Sequence, residues 1–358
     1  MINWKTIFIS TFFIFSSTIY AIDTTSDIKG SVADSSGAAV SGVNVVITYE
    51  ATNTSKTVVT DSDGNFYALN LKAGGPYTVS SGASKVSDVY LALGKTANVK
   101  LTTVEAGSID EVVVTASRSN VVETTSGPSY VFTSTDLART AAYDRDIKEV
   151  LAQHPSIYIN EGNEKSMQCA GSNGRFNGLT VDGIALNDTF GLNANGYPAE
   201  RMPFSYDAIE QVAVEFAPYD VQYGGFSACV VNAVTKSGSN EFTASAFAEM
   251  TNDSLTGDEV DGDAVTIPAY DEAKYGFTVG GPIIQDRLYF FAAYEMYEDQ
   301  DLGEFGYVGS GMPSELAWFT KADYDRIVSI ASTKYNFDPG GLPSALDSES
   351  EKLLAKFD

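Results

Sequence analysis

Two cysteines, one histidine and a few closely spaced carboxylates are the residues whose types and spacing could do chemistry in this chain. His154 is its single imidazole, and one histidine cannot build a zinc site. The serines, the aspartates and His154 show no nucleophile-base-acid order, and no Gly-rich phosphate loop occurs. Asp61-x-Asp63-x-Asn65 imitates the start of a calcium-binding EF-hand loop. That loop needs Gly at its sixth position and an acid at its twelfth, where this chain has Phe66 and Lys72, so a hairpin turn is expected. The run Asp258 to Asp263 (DEVDGD) reads as a solvated acidic loop rather than a metal site. No catalytic residue, metal or cofactor is expected, and the chain is not read as an enzyme.

A different kind of chemistry is offered by Ser108 to Arg118, SIDEVVVTASR. Two acids, Asp110 and Glu111, precede the β-branched run Val112, Val113, Val114 and Thr115, and the polar residues Thr124, Thr125, Ser126 and Gly127 follow. Alone, the run reads as one more edge strand. The functional reading of Ile109 to Thr115 is a tethered strand that adds itself to a partner's sheet. Backbone hydrogen bonds then supply affinity and alternate side chains supply selectivity. At roughly 0.5 to 1.5 kcal/mol net per bond, five or six such bonds hold reversibly and can transmit a pull.

The elements around these residues are mostly strands. At 358 residues the chain is long enough for two or three domains, and it is rich in Gly, Tyr and Phe with few helix-forming runs. Its formal charge of -25 repels phosphate backbones and anionic headgroups, which argues against nucleic-acid binding and peripheral membrane docking. Met1 to Ala21 has a lysine at position 5, an apolar core from Ile7 to Phe15 and a small residue, Ala21, at the expected cut, the layout of a secretory signal peptide. Export places Cys169 and Cys229 where nothing keeps thiols reduced. Small turn residues flank both, and no other cysteine competes, so a disulfide between them is expected; two buried thiols are the alternative.

Residues 27 to 104 alternate in short strands broken by Gly/Asp/Asn turns, which indicates a transthyretin-like or immunoglobulin-like β-sandwich. A linker over 105 to 118 carries the tethered strand. Thr135 to Gln153 has a cap signal and apolar residues at helical spacing (Ile147, Val150, Leu151), and His154-Pro155 ends it, so His154 is a structural residue at a helix terminus. Gly174 to Ile184 gives a strand and an Asp182-Gly183 turn, and Ala208 to Glu215 alternates strictly. Val230 to Val234 is then stopped by Thr235-Lys236-Ser237-Gly238-Ser239-Asn240, and new alternation begins at Glu241.

Two resemblances rest on these residues. G-x-V-x-D-x-x-G, then TDSDGNF, then L-x-x-G-x-Y-x-V over Ile28 to Val104 resembles the carboxypeptidase regulatory-like domain, an accessory module that implies no peptidase. The succession DIKEVLAQHPSI, LTVDGIALND, AIEQVAVEF, YGGFSACVVNAVTKSGSN and VGGPIIQDRLYFFAAYE resembles TonB-dependent outer-membrane receptors, in particular the Oar-like subgroup, and covers nearly the whole mature chain. The likeness implies that Ile109 to Thr115 is the TonB box, that 119 to 240 is an α+β plug domain, and that 241 to 358 begins an outer-membrane β-barrel. It implies as partners the TonB energy-transducing protein, outer-membrane lipid and an imported ligand, with siderophore, peptide and glycan all open. The runner-up is a surface or periplasmic adhesion protein built from β modules.

This chain departs from the family pattern twice. The Arg-Gly-Pro of many receptors is replaced by Glu215-Phe216-Ala217-Pro218-Tyr219-Asp220. The usual Arg-Gly of the earlier strand reads Arg175-Phe176-Asn177-Gly178, which leaves Arg175 as a substitute. Beyond Asn240, the strand at Glu241, Tyr275-x-Phe277-x-Val279 and Leu288-x-Phe290-x-Ala292-x-Tyr294-x-Met296 alternate as barrel strands do, with Gly280 to Asp286 expected as the turn between the last two and 252 to 272 as a longer outer loop. Three strands cannot close a barrel around a plug, so the chain is expected to be the N-terminal portion of a receptor.

Overall fold

The computed structural model describes residues 24–103, 114–115, 128–162, 165–188, 193, 196–199, 201–216, 218, 224–264, 270–301, 305–312, 314–342 and 346–358. The expected signal peptide, Met1 to Ala21, and Ile109 to Val113 of the expected tethered strand lie outside these residues. The chain forms two compact units: the described residues up to Met202 with Ile209–Lys236, and Pro203–Ala208 with Ser237–Asp358. No described helix is long and apolar enough to cross a membrane.

Seven strands make the sandwich: β1 (Thr25–Ala33), β2 (Asn44–Tyr49), β3 (Thr54–Val59), β4 (Asn65–Lys72), β5 (Gly74–Ser81), β6 (Ser84–Leu91) and β7 (Thr96–Thr102). One sheet runs β4-β1-β7. The other runs β3-β2-β5-β6 and continues to β8 (Val114–Thr115). Alternation, interrupted by bulges, sends one face of each sheet inward, so Ile28, Val45, Ile47, Phe66, Val79 and Val99 form one core supplied entirely by residues 28 to 101. The Asp61 turn has the form expected: its Oδ1 accepts from Asp63 N (2.9 Å) and Asn65 N (2.8 Å), and Gly64 takes φ +75°. Because the core is self-contained, the isolated 27–104 segment is expected to give a β-type circular dichroism spectrum and cooperative thermal unfolding; a featureless melt would refute the boundary.

The plug sheet has the order β13-β12-β15-β14-β9, built from β9 (Ser129–Thr133), β12 (Gly178–Val181), β13 (Ile184–Ala185), β14 (Ile209–Glu215) and β15 (Val230–Thr235). A separate hairpin joins β10 (Ile157–Asn160) to β11 (Ser166–Cys169). The single helix expected over 135 to 153 is two short ones, α1 (Ser134–Arg139) and α2 (Ile147–Leu151). The reason is a second start signal inside the run. Asp146 is extended and its carboxylate accepts from Lys148 N (2.9 Å), while Arg145 before it has φ +54°. His154 follows α2 in the structural position expected, stacked on Phe216 with ring centroids 4.7 Å apart.

Beyond Lys236 the second unit is an open antiparallel sheet, β16-β19-β20-β23, with β16 at Thr243–Asn252, β19 at Tyr270–Ile284, β20 at Leu288–Asp301 and β23 at Leu346–Phe357. A small hairpin, β17 (Glu259–Val260) with β18 (Asp263–Ala264), a short parallel pair, β21 (Phe305–Tyr307) with β22 (Ser314–Leu316), and the exposed helix α3 (Lys321–Tyr335) lie in the connections. The alternation places Lys274, Gly276 and Thr278 on the buried face of β19 and Tyr275 and Phe277 on the exposed one. Polar-in and apolar-out is the inverse of a soluble sheet and the pattern of a barrel wall.

Two expectations fail in this unit. Gly280 to Asp286 is not the turn: β19 runs on to Ile284, and the reversal falls at Asp286, with φ +59°. These glycines serve close packing, since a Cβ on Gly281 would lie 2.4 Å from the Phe242 ring. The sheet also has a fourth long strand, β23, paired with β20 from Leu346 to Phe357. Its alternation is written in Ser350, Lys352 and Lys356 against Glu349, Glu351 and Leu353, so a search for apolar periodicity passes it by.

Candidate functional site

The plug holds three features that do something chemically definite. The first joins its two sharpest sequence motifs. Parallel pairing of β12 with β15 sets Val181 opposite Ala233, so the turn after β12 meets the end of β15. Asp182 and Gly183 take φ +47° and +78°, the two-residue turn that this dipeptide favours. Asp182 then accepts from Thr235 through both carboxylate oxygens, from the backbone N at 2.9 Å and from Oγ1 at 2.5 Å. The VDG and NAVT runs are therefore one structural element.

The second feature is the bond between Cys169, at the end of β11, and Cys229, just before β15, with an S–S distance of 2.01 Å and both residues buried. It fastens the β10-β11 hairpin to the main sheet, with which that hairpin shares no strand pairing.

The third is a cavity of about 400 Å³ among α2, β11, the 3-10 turn at Gly174–Phe176 and the connection holding Asn187 to Tyr197. Lys148 stands in its wall, buried, with Nζ 4.1 Å from the centroid of the Tyr197 ring. The Tyr197 hydroxyl donates to Asp146 Oδ1 at 2.6 Å, so the carboxylate that caps α2 also orients the ring beneath the ammonium. Burial holds the Lys148 ammonium below the usual lysine range, opposed in part by Asp146. Burial, then Asp146, raises the Tyr197 phenol well above its ordinary range. Opposite them, Asn187 bridges β12: its Nδ2 donates to Asn177 O (2.7 Å) and its Oδ1 accepts from Leu179 N (3.0 Å). A cation, an aromatic face and fixed amides can hold an oxygen-rich or anionic group. They include no nucleophile placed by a base, and the described residues hold no cluster of three metal ligands.

The plug sheet also meets the sandwich within the first unit. Gln211 on β14 donates from Nε2 to Leu91 O and accepts at Oε1 from Leu93 N, both at 3.0 Å, across about 120 residues of sequence. Ala73 and Leu93 pack on Ala213 and Val234 beside it. Glu215, on the same face of β14, is buried near Gly94, and burial pushes its carboxyl up to about 7 against the Lys95 charge.

Of the tethered strand, Val114 and Thr115 are the described residues. They pair in parallel with β6, Val86 opposite Val114 and Ser87 opposite Thr115. At these two positions the linker is an added strand of the sandwich, because β6 is otherwise a sheet edge with open backbone groups. Arg175 lines the plug cavity. The acidic run 258 to 263 is a hairpin turning at Asp261 and Gly262, which have φ +53° and +88°. Lys148, Tyr197 and Gln211 were not legible as site residues. The one available signal was a lysine two places after a capping aspartate, too common to carry a role.

Comparison with known proteins gives a consistent series. Residues 27–104 match the model of the carboxypeptidase regulatory-like domain, 121–231 that of the TonB-dependent receptor plug domain, and 234–308 that of an outer membrane beta barrel domain. The TonB-dependent transporter Oar of Myxococcus xanthus is 29% identical over 273 residues, 70% of this chain and 25% of that protein. The chain therefore spans about a quarter of the length of that relative. The outer-membrane transporter YddB from Escherichia coli superposes with a TM-score of 0.43 at 11% identity, covering 64% of this chain and 30% of its own. The siderophore receptor PirA from Acinetobacter baumannii gives 0.38 at 21% identity, covering 48% and 24%.

Proposed function

Because this chain belongs to the TonB-dependent outer-membrane receptors, with the carboxypeptidase regulatory-like domain, plug and barrel strands of the Oar-like type, we propose that it works as an energy-coupled importer. The protein resides in the cell outer membrane. In this reading the sandwich lies in the periplasm, Ile109 to Thr115 is the TonB box, and tension on the box rearranges the plug to admit a ligand. The observation that carries it is the change of strand character at Lys236: β15, buried on both faces, gives way to β19, which buries Lys274, Gly276 and Thr278 and exposes Tyr275 and Phe277.

Ligand choice is assigned in part to the plug cavity, where Lys148 and Asn187 offer a cation and amides to ligand oxygens. Siderophores, peptides and glycans all present such atoms. No enzymatic step is proposed. A repeated sandwich, which would favour an adhesion protein, is not found among the described residues.

The box is tested with a peptide of residues 105 to 118 and the C-terminal domain of TonB. Val113→Pro is expected to abolish binding, since proline removes a ladder donor and cannot sit inside a strand pair, whereas Asp110→Asn is expected to leave it intact. Equal affinity for the wild-type and Val113→Pro peptides would exclude strand addition as the coupling mode.

A further inference from the structure

The parallel pairing of Val114–Thr115 with β6 gives the sandwich a role that its family resemblance does not assign. β6 is hydrogen-bonded on one side to β5, from Ser81 opposite Ser84 to Gly74 opposite Leu91. Its other side would be a bare edge without β8, and a bare edge is a template for any extended chain. β7 ends beside it, with the Ser84 hydroxyl donating to Thr102 O, so the chain leaving β7 starts next to the edge to which it returns at Val114. Two residue pairs make a short, reversible contact.

Resting on the reading of Ile109 to Thr115 as the TonB box, we infer that the β6 edge of the sandwich is a strand-addition site occupied in cis by Val114–Thr115, in competition with TonB. A strand's backbone groups toward one neighbour can be hydrogen-bonded once. The groups that Val114 and Thr115 give to β6 are withheld from a TonB sheet approaching from that side, so TonB must peel them away. The sandwich thereby holds the box closed at its C-terminal end.

The test is a redox lock on the purified chain, Ser87→Cys with Thr115→Cys. Register partners in adjacent strands lie about 4.8 Å apart, within the range a disulfide spans. The native Cys169–Cys229 bond is buried, and wild type carried through the same mild oxidant and reductant controls for it. The new bond is expected to form, and the oxidised variant to lose binding to the C-terminal domain of TonB, with recovery on reduction. Failure of the crosslink to form would overturn the proposal, as would a crosslinked protein that binds TonB as well as the reduced one. The free 105 to 118 peptide separates the two ideas. If it does not bind TonB, the box assignment fails, while crosslink formation still decides whether β6 holds the strand.

Discussion

Replacing Cys169 and Cys229 with alanine is expected to lower plug stability by about 4 kcal/mol and to lengthen the segment that a pull on Ile109 to Thr115 can extract. The bridge spans 60 residues, and closing a loop of that size removes roughly that much entropy from the unfolded chain. Alanine avoids leaving buried hydroxyls where both sulfurs are now enclosed. The mechanical effect is the larger one. On the proposed import reading, load entering near residue 119 travels to Cys169, crosses the sulfurs to Cys229 and leaves at Ser237, so residues 170 to 228 carry none of it. Extraction then stops after about 50 residues, roughly 170 Å of extended chain. Without the bridge it continues until Pro203–Ala208, which folds with the second unit, after about 84 residues or roughly 280 Å. Single-molecule pulling on the two proteins would register the difference, and equal released lengths would show that the bridge bears no load.

Much of this arrangement could be read from period and punctuation. Alternation over 28 to 101 gave a sandwich because one face of each strand is buried, and Asp182-Gly183 gave a turn because both residues accept positive φ. What eluded sequence reasoning was long-range polar geometry. Nothing near Gln211 says that its amide will meet Leu91 and Leu93, and nothing in VDG or NAVT says that Asp182 accepts twice from Thr235, because both facts depend on which strands become neighbours.

The barrel-like sheet was legible where its outer face is aromatic and illegible where it is not. Tyr275 and Phe277 announce β19, whereas β23 is written in Ser, Lys and Glu because its inner face meets charge. Glycine misled for a related reason. Gly280-Gly281 looks like a reversal, yet the missing side chain leaves room for the Phe242 ring, and Gly238, where a Cβ would lie 2.4 Å from Phe290 O, lets the chain leaving the plug cross β20 at close range. A one-dimensional reading cannot separate a glycine that turns from one that admits a neighbour.

Glu295→Leu is expected to have the largest single-residue effect. Glu295 lies on the buried face of β20, with its side chain 3% exposed, and accepts from Lys352 Nζ at 2.7 Å, Ser205 Oγ at 3.0 Å and Tyr206 N at 3.3 Å. Removing it leaves the Lys352 ammonium, itself 8% exposed, buried without a counter-ion, at a cost of about 3 to 5 kcal/mol. Adding Lys352→Met should restore most of that loss, because a buried ion pair exchanged whole for apolar side chains is often close to neutral. Denaturation in detergent would check this; a double variant as unstable as the single one would place the cost in packing rather than in the unpaired charge. Both variants nevertheless lose the acceptor that holds Ser205 and Tyr206, so the amides of 203 to 208 should exchange faster with solvent in each. Unchanged protection would mean that Ala208, packed on Phe291 and Ala293, holds the segment unaided. If exchange does rise, the second stop inferred for extraction is set by Glu295. In the chain lacking Cys169 and Cys229, adding Glu295→Leu and Lys352→Met should then let a pull run past Pro203 toward Lys236.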